Sequence, residues 1–96
     1  MEKTLDMKKI CLLCMLSTKP MHGYDMMKEL EARTGKKAGP GYIYPVLNEM
    51  QKKGFLKVKS ESTGERERKV YSLTERGKKA CVDERACIKK TFKEFF

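Results

Sequence analysis

Seven consecutive residues, Ile10-Cys11-Leu12-Leu13-Cys14-Met15-Leu16, carry no charge in a 96-residue chain in which 36% of residues are charged. A helix through this run is apolar almost all round. It has no face to give to water, so the other elements must enclose it. Apolar positions recur from Met7 at helical spacing and place the helix at about residues 6–18, with Pro20 as its stop. Lys8 and Lys9 precede the run as they would in a signal peptide, but no small-residue cleavage site follows. The run also falls short of the roughly 18–20 residues that span a bilayer. The expectation is a central core helix in a single-domain cytoplasmic protein with no membrane partner.

The rest of the chain supplies what would enclose it. Met26, Met27 and Leu30 give a second helix, 23–34, one buried face, while Lys28, Glu29, Glu31 and Arg33 are solvated. Gly35 stands where a left-handed cap is cheap, and "GKKAGPG" is a loop. A third helix is expected from Gly41 to Gly54, burying Ile43, Val46, Leu47 and Met50, with Pro45 in its first turn. Leu56 and Val58 alternate with Lys57 and Lys59 as in a half-buried strand; "STGERER" turns, and "RKVYSLT" returns as the second strand of a hairpin. Thr74 is placed to cap a last helix, 75–95. Along it Cys81, Ile88, Phe92 and Phe95 share a face, and Phe96 follows; so apolar an ending predicts a partner surface, here a second copy of the chain.

Charge narrows the partner. Twenty-two Lys and Arg against thirteen Asp and Glu leave +9, an excess that draws polyanions, with nucleic acid first among them. The cysteines suit small buried hydrophobes better than a metal site, because Cys11 and Cys14 sit inside the apolar run rather than on converging loops. No metal or other cofactor is expected, and no catalytic set: His22, the sole histidine, has no nucleophile or acid at a telling spacing.

Helix, helix, turn, helix, hairpin and a further helix is the order of a winged helix-turn-helix, an α+β fold that is mainly α. Its three helices and two-stranded wing would occupy residues 1–73, and a dimerisation helix 74–96, in one compact unit. The third helix could enter the major groove end-on, its unpaired N–H groups and positive dipole end facing phosphates. Lys36 and Lys37 lie just ahead of it, and Gly41 lets the backbone come close. Tyr42, Tyr44 and Asn48 are the candidates for base edges or phosphates, with Tyr44 alternatively filling space under the hairpin. Arg66, Arg68 and Lys69 give the wing the charge to straddle a neighbouring minor groove. His22 and Tyr24, in the turn before the second helix, either meet phosphate or simply pack that turn.

These same stretches carry a resemblance. "PMHGYDMMKELEARTG", "GPGYIYPVLNEMQKKGFL" and "ERKVYSLTERGKKA" together resemble the PadR family of bacterial and archaeal transcriptional regulators, over residues 5 to about 80. His22-Gly23-Tyr24, Tyr44-Pro45, Gly54-Phe55-Leu56 and Leu73-Thr74-x-x-Gly77 are each weak motifs and jointly strong ones. The resemblance implies a homodimeric repressor on a palindromic operator, its C-terminal helix packing on the first helix of the other subunit. It is similar to the short subgroup, with one helix after the wing. It also implies, for some relatives, release from DNA by a small aromatic effector. Two departures stand out. Tyr42 replaces a small hydroxyl residue, and the chain has no Trp on which a flat ligand would stack. Two other functions compete: a winged-helix module that binds protein rather than DNA, and a thiol sensor using Cys81 or Cys87 at a dimer seam.

Overall fold

In the computed structural model, which describes residues 7–64 and 66–93, the elements follow in the order α1 (Met7–Leu16), β1 (Met21–His22), α2 (Gly23–Thr34), α3 (Gly39–Lys52), β2 (Leu56–Thr63), β3 (Arg66–Leu73) and α4 (Glu75–Lys93). Phe95 and Phe96 lie outside the described residues. Among those residues no helix is long and apolar enough to cross a membrane, and no three His, Cys, Asp or Glu side chains gather as a metal site would need.

The central position of α1 is borne out. Ile10, Leu12, Leu13, Met15 and Leu16 are all buried. The helix stops because the hydroxyls of Ser17 and Thr18 turn back onto the carbonyls of Cys14 and Met15, ahead of Pro20. Around it Met26 and Leu30 of α2, Ile43, Leu47 and Met50 of α3, Leu56 of β2 and Tyr71 and Leu73 of β3 close a single core. Gly35 ends α2 in the left-handed conformation, at φ 71°.

Three boundaries differ from expectation. The third helix starts at Gly39, not Gly41, so Pro40 occupies its first turn and Pro45 lies inside it. Pro45 therefore does remove a helical hydrogen bond, the one the Gly41 carbonyl would have accepted. Second, the wing is part of a three-stranded antiparallel sheet of order β1-β3-β2. Met21 pairs with Tyr71 and His22 with Val70, so the "PMHGY" turn is also an edge strand. Third, the hairpin runs further than its apolar alternation, with Thr63 paired to Arg66 across a two-residue turn. Gly64, at φ 65°, supplies the left-handed residue such a turn requires.

The last helix begins as expected. The Thr74 hydroxyl accepts from the Gly77 amide at 3.0 Å, a side-chain N-cap, and donates to the Gly54 carbonyl. Cys81 does not belong to an outer seam. It is buried in the core, its Sγ 3.8 Å from that of Cys14 on α1. The stripe it shares with Ile88 and Phe92 starts inside the molecule and ends outside it, because α4 outruns the core. Ile88 is half-buried, and Phe92 and Val82 are exposed.

Among the described glycines, Gly77 makes the closest approach to its neighbours. A Cβ there would meet the Phe55 carbonyl oxygen at 2.1 Å, and backbone cannot yield as a side chain can. Gly77→Ala should cost about 1–3 kcal/mol in urea unfolding. Gly41→Ala, in a helix with open space around it, should instead gain about 0.5–1 kcal/mol. Equal effects of the two would contradict this packing.

Candidate nucleic-acid interface

Where the N-terminus of α2, one flank of α3 and the strand β3 meet, they bound a groove of about 780 Å³. His22, Gly23 and Tyr24 line it from the turn, Tyr44 and Asn48 from α3, and Arg68, Lys69 and Tyr71 from β3. Tyr44 and Asn48 share a face because they are one helical turn apart. Gly23 admits the Tyr44 ring: a Cβ at residue 23 would lie 2.7 Å from Cε1. Tyr44 thus rests on the start of α2 with 41% of its surface still exposed, and Tyr24, 58% exposed, stands on the rim with the Lys28 ammonium 5.8 Å from its ring. Tyr71 is the floor; burial, and then its neighbour Tyr44, push its phenol above the ordinary range.

The groove is not uniformly basic. Asp25 and Glu67 line it beside Arg68 and Lys69. His22 is engaged on both sides, with Nε2 3.3 Å from a Glu61 carboxylate oxygen on β2 and Nδ1 3.5 Å from Asp25. It is a strut between α2 and the wing, and a phosphate would have to compete with two carboxylates for it. Lys36 and Lys37 are exposed in the α2–α3 loop and Gly41 in the first turn of α3, beside the groove rather than in it. Arg66 pairs at the wing tip, and its side chain lies outside those described.

Tyr42 is a correction. Two residues along a helix is about 200° around it, so Tyr42 and Tyr44 cannot both face the groove. Tyr42 packs half-buried against the core, the Lys8 ammonium 4.8 Å from its ring and its hydroxyl shut off from solvent. It is not placed to read a base.

The N-terminus of α3 is a second correction. Its leading amides do not await a phosphate, because Glu31 reaches across from α2 and accepts from the N–H of Ala38 at 3.0 Å and of Gly39 at 3.4 Å. These two hydrogen bonds, ahead of the charges of Lys28 and Lys37, hold the carboxyl below its usual range. By its helical position Glu31 looked merely solvated. The contact spans a loop, and no periodicity reports it.

Of the two thiols considered for a sensor, Cys81 is not placed for one. Burial and the adjacent Cys81 push the Cys14 thiol up to about 11, and Cys81 is enclosed. Only Cys87 is exposed among the four.

A central helix-turn-helix, a β-wing beside its third helix and a groove between them define a winged helix-turn-helix fold. The model of the transcriptional regulator PadR-like family matches residues 12–83. The chain belongs to that family, whose members are DNA-binding transcription regulators and not enzymes. It is 32% identical over 71 residues to the transcriptional regulator YqjI of Escherichia coli, a match covering 72% of this chain and 33% of that protein, so the chain spans about a third of that relative's length. Its structure resembles protein TA0346 of Thermoplasma acidophilum, with a TM-score of 0.79 at 30% identity, over 92% of this chain and 84% of the other. It also resembles Bacillus subtilis PadR solved with operator DNA, with a TM-score of 0.71 at 29% identity, over 78% and 44% of the two chains.

Two outcomes check this geometry. Gly23→Ala should displace the Tyr44 ring, and Tyr44→Ala should relieve most of that cost, giving a double-mutant coupling of about 0.5–3 kcal/mol; additive effects would show that the ring does not rest on Gly23. With iodoacetamide at pH 8, peptide mapping should find Cys87 modified first and Cys81 last. Early labelling of Cys81 would contradict its burial.

Proposed function

We propose that this chain is a homodimeric, sequence-specific repressor that acts in the cytoplasm by occupying a palindromic operator. The observation that carries the proposal is the groove, which gathers Tyr24, Tyr44, Asn48, Arg68 and Lys69 from three separate elements in a chain of net charge +9. Tyr44 and Asn48 are assigned to base edges in the major groove. Lys36, Lys37, Arg68 and Lys69 are assigned to phosphates, with Arg66 at the wing tip and Gly41 allowing close approach of the α3 backbone. Tyr24 holds the backbone at the rim, and His22 supports it by bracing the wing.

Residues 1–73 then form the DNA-binding part and 74–96 the dimerisation helix. Ile88 and Phe92, with the terminal Phe95 and Phe96, supply apolar surface for a second copy, and the exposure of Phe92 and Val82 supports that reading. Two-fold symmetry places the half-sites about one helical turn apart, ~10 base pairs. An aromatic effector, where one acts, would stack on Tyr or Phe, since the chain has no Trp.

Fluorescence anisotropy of DNA from upstream of the protein's own gene, against a scrambled duplex across a salt series, tests this. The native duplex should be preferred by ~10³ or more, with affinity falling steeply as salt rises. Lys69→Ala should weaken both duplexes alike and lower the salt slope by about one unit, whereas Asn48→Ala should erode the preference itself. Equal binding of both duplexes by the unaltered protein would refute sequence-specific reading. No binding at low salt would favour a protein partner instead.

A further inference from the structure

The first turn of α3 lies between two apolar anchors, Ala38 buried in the core just ahead of it and Tyr42 packed against the core just after it, while Gly39, Pro40 and Gly41 bring no side chain to the core. Pro45 leaves the Gly41 carbonyl without its helical donor. The loop that delivers this turn has left-handed glycines at both ends, Gly35 at φ 71° and Gly39 at φ 55°, so it is permissive where rigidity would be needed. The Ala38 N-cap offers no side-chain acceptor. The polar tie across this stretch is the Glu31 carboxylate on the Ala38 and Gly39 amides, bridging α2 to the head of α3.

We propose that Glu31 is the positioning residue of the recognition helix: by holding the amides of the Ala38 N-cap and of Gly39 it fixes how the helix stands out from α2, and so sets the protein's preference among DNA sequences rather than its bare affinity for DNA. This rests on the DNA-reading role assigned above to Tyr44 and Asn48. Both project from the segment whose lead turn Glu31 anchors. The charge works in the same direction, since a carboxylate on the Ala38 and Gly39 amides turns phosphate away from those two groups and leaves the Gly41 backbone and the helix flank to meet the DNA.

Three variants separate this from general stabilisation. Glu31→Ala should reduce the preference for the native operator over a scrambled duplex by about tenfold or more, leaving affinity for the scrambled duplex equal or tighter. Glu31→Gln, which keeps an acceptor oxygen, should restore most of the preference. Glu29→Ala, which removes the same charge from the same helix where it pairs with Arg33, should change nothing. Amide hydrogen exchange provides a readout independent of DNA. Protection at Ala38 and Gly39 should fall in Glu31→Ala while that at Leu47 and Met50 holds. Unchanged exchange at 38 and 39 overturns the clamp, and so does a parallel loss of specific and nonspecific binding. If the unaltered protein prefers no duplex, the DNA reading fails and the link to sequence preference with it, while exchange still decides whether Glu31 holds the helix.

Discussion

One threonine hydroxyl joins the parts of this fold that would otherwise drift apart. Thr74 Oγ1 donates to the carbonyl of Gly54, just past the end of α3, and accepts from the amide of Gly77 in the first turn of α4, while the Thr74 amide donates to Phe55 at 3.0 Å. The end of the recognition helix, both strands of the wing and the start of the last helix meet at that point. A two-stranded hairpin alone is marginal in water. Here its base is fixed by the Leu56–Leu73 pair beside the threonine, and its inner edge is extended by β1. The absence of a side chain at Gly77 lets α4 come down onto the Phe55 carbonyl. The position of Arg68 and Lys69 relative to Tyr44 and Asn48 follows from that junction.

The groove depends on a second close approach, Tyr44 on Gly23, and the two approaches differ in kind. At Gly77 backbone meets backbone, and nothing can give. At Gly23 the neighbour is the end of a half-exposed ring, which can move. The wing base is thus rigid, while the wall between α2 and α3 keeps some freedom. Base-contacting side chains gain from that combination, because they must be aimed yet still adjust to a base pair.

Much of this was legible in the sequence, and the misses have physical causes. The apolar run of α1, the glycine cap at Gly35 and the Thr74-x-x-Gly77 pattern are local signals whose meaning does not depend on distant residues. The start of α3 was misplaced because two prolines compete for the first turn, and Pro40, not Pro45, occupies it. Strand β1 is two residues long, too short for any periodicity to show. Cys81 shares a helix face with Ile88 and Phe92, which points outward by pattern alone, yet it is buried. One face of a helix about 28 Å long can lie in the core at one end and in water at the other. Tyr42 and Glu31 failed for opposite reasons. Tyr42 stands about 200° around the helix from Tyr44, so a groove that takes one leaves the other on the core side, and Glu31 makes a contact across a loop that no pattern encodes.

The carboxylates explain how such a basic chain can avoid binding every anion equally well. Asp25 lies in the first turn of α2 and Glu31 over the first amides of α3, so both helix dipoles near the groove are already compensated. Glu67 is the neighbour of Arg68 along β3 and lines the same groove, and Glu61 lies opposite Arg68 in register. Under the proposed reading, attraction for phosphate then falls to the exposed cations of the α2–α3 loop and the wing, which carry no base information. Discrimination falls to Tyr44 and Asn48 on a helix whose leading Ala38 and Gly39 amides are already taken by Glu31. Strength and selectivity are thereby assigned to different side chains, so a change of sequence preference need not alter the electrostatics that bring the protein to DNA.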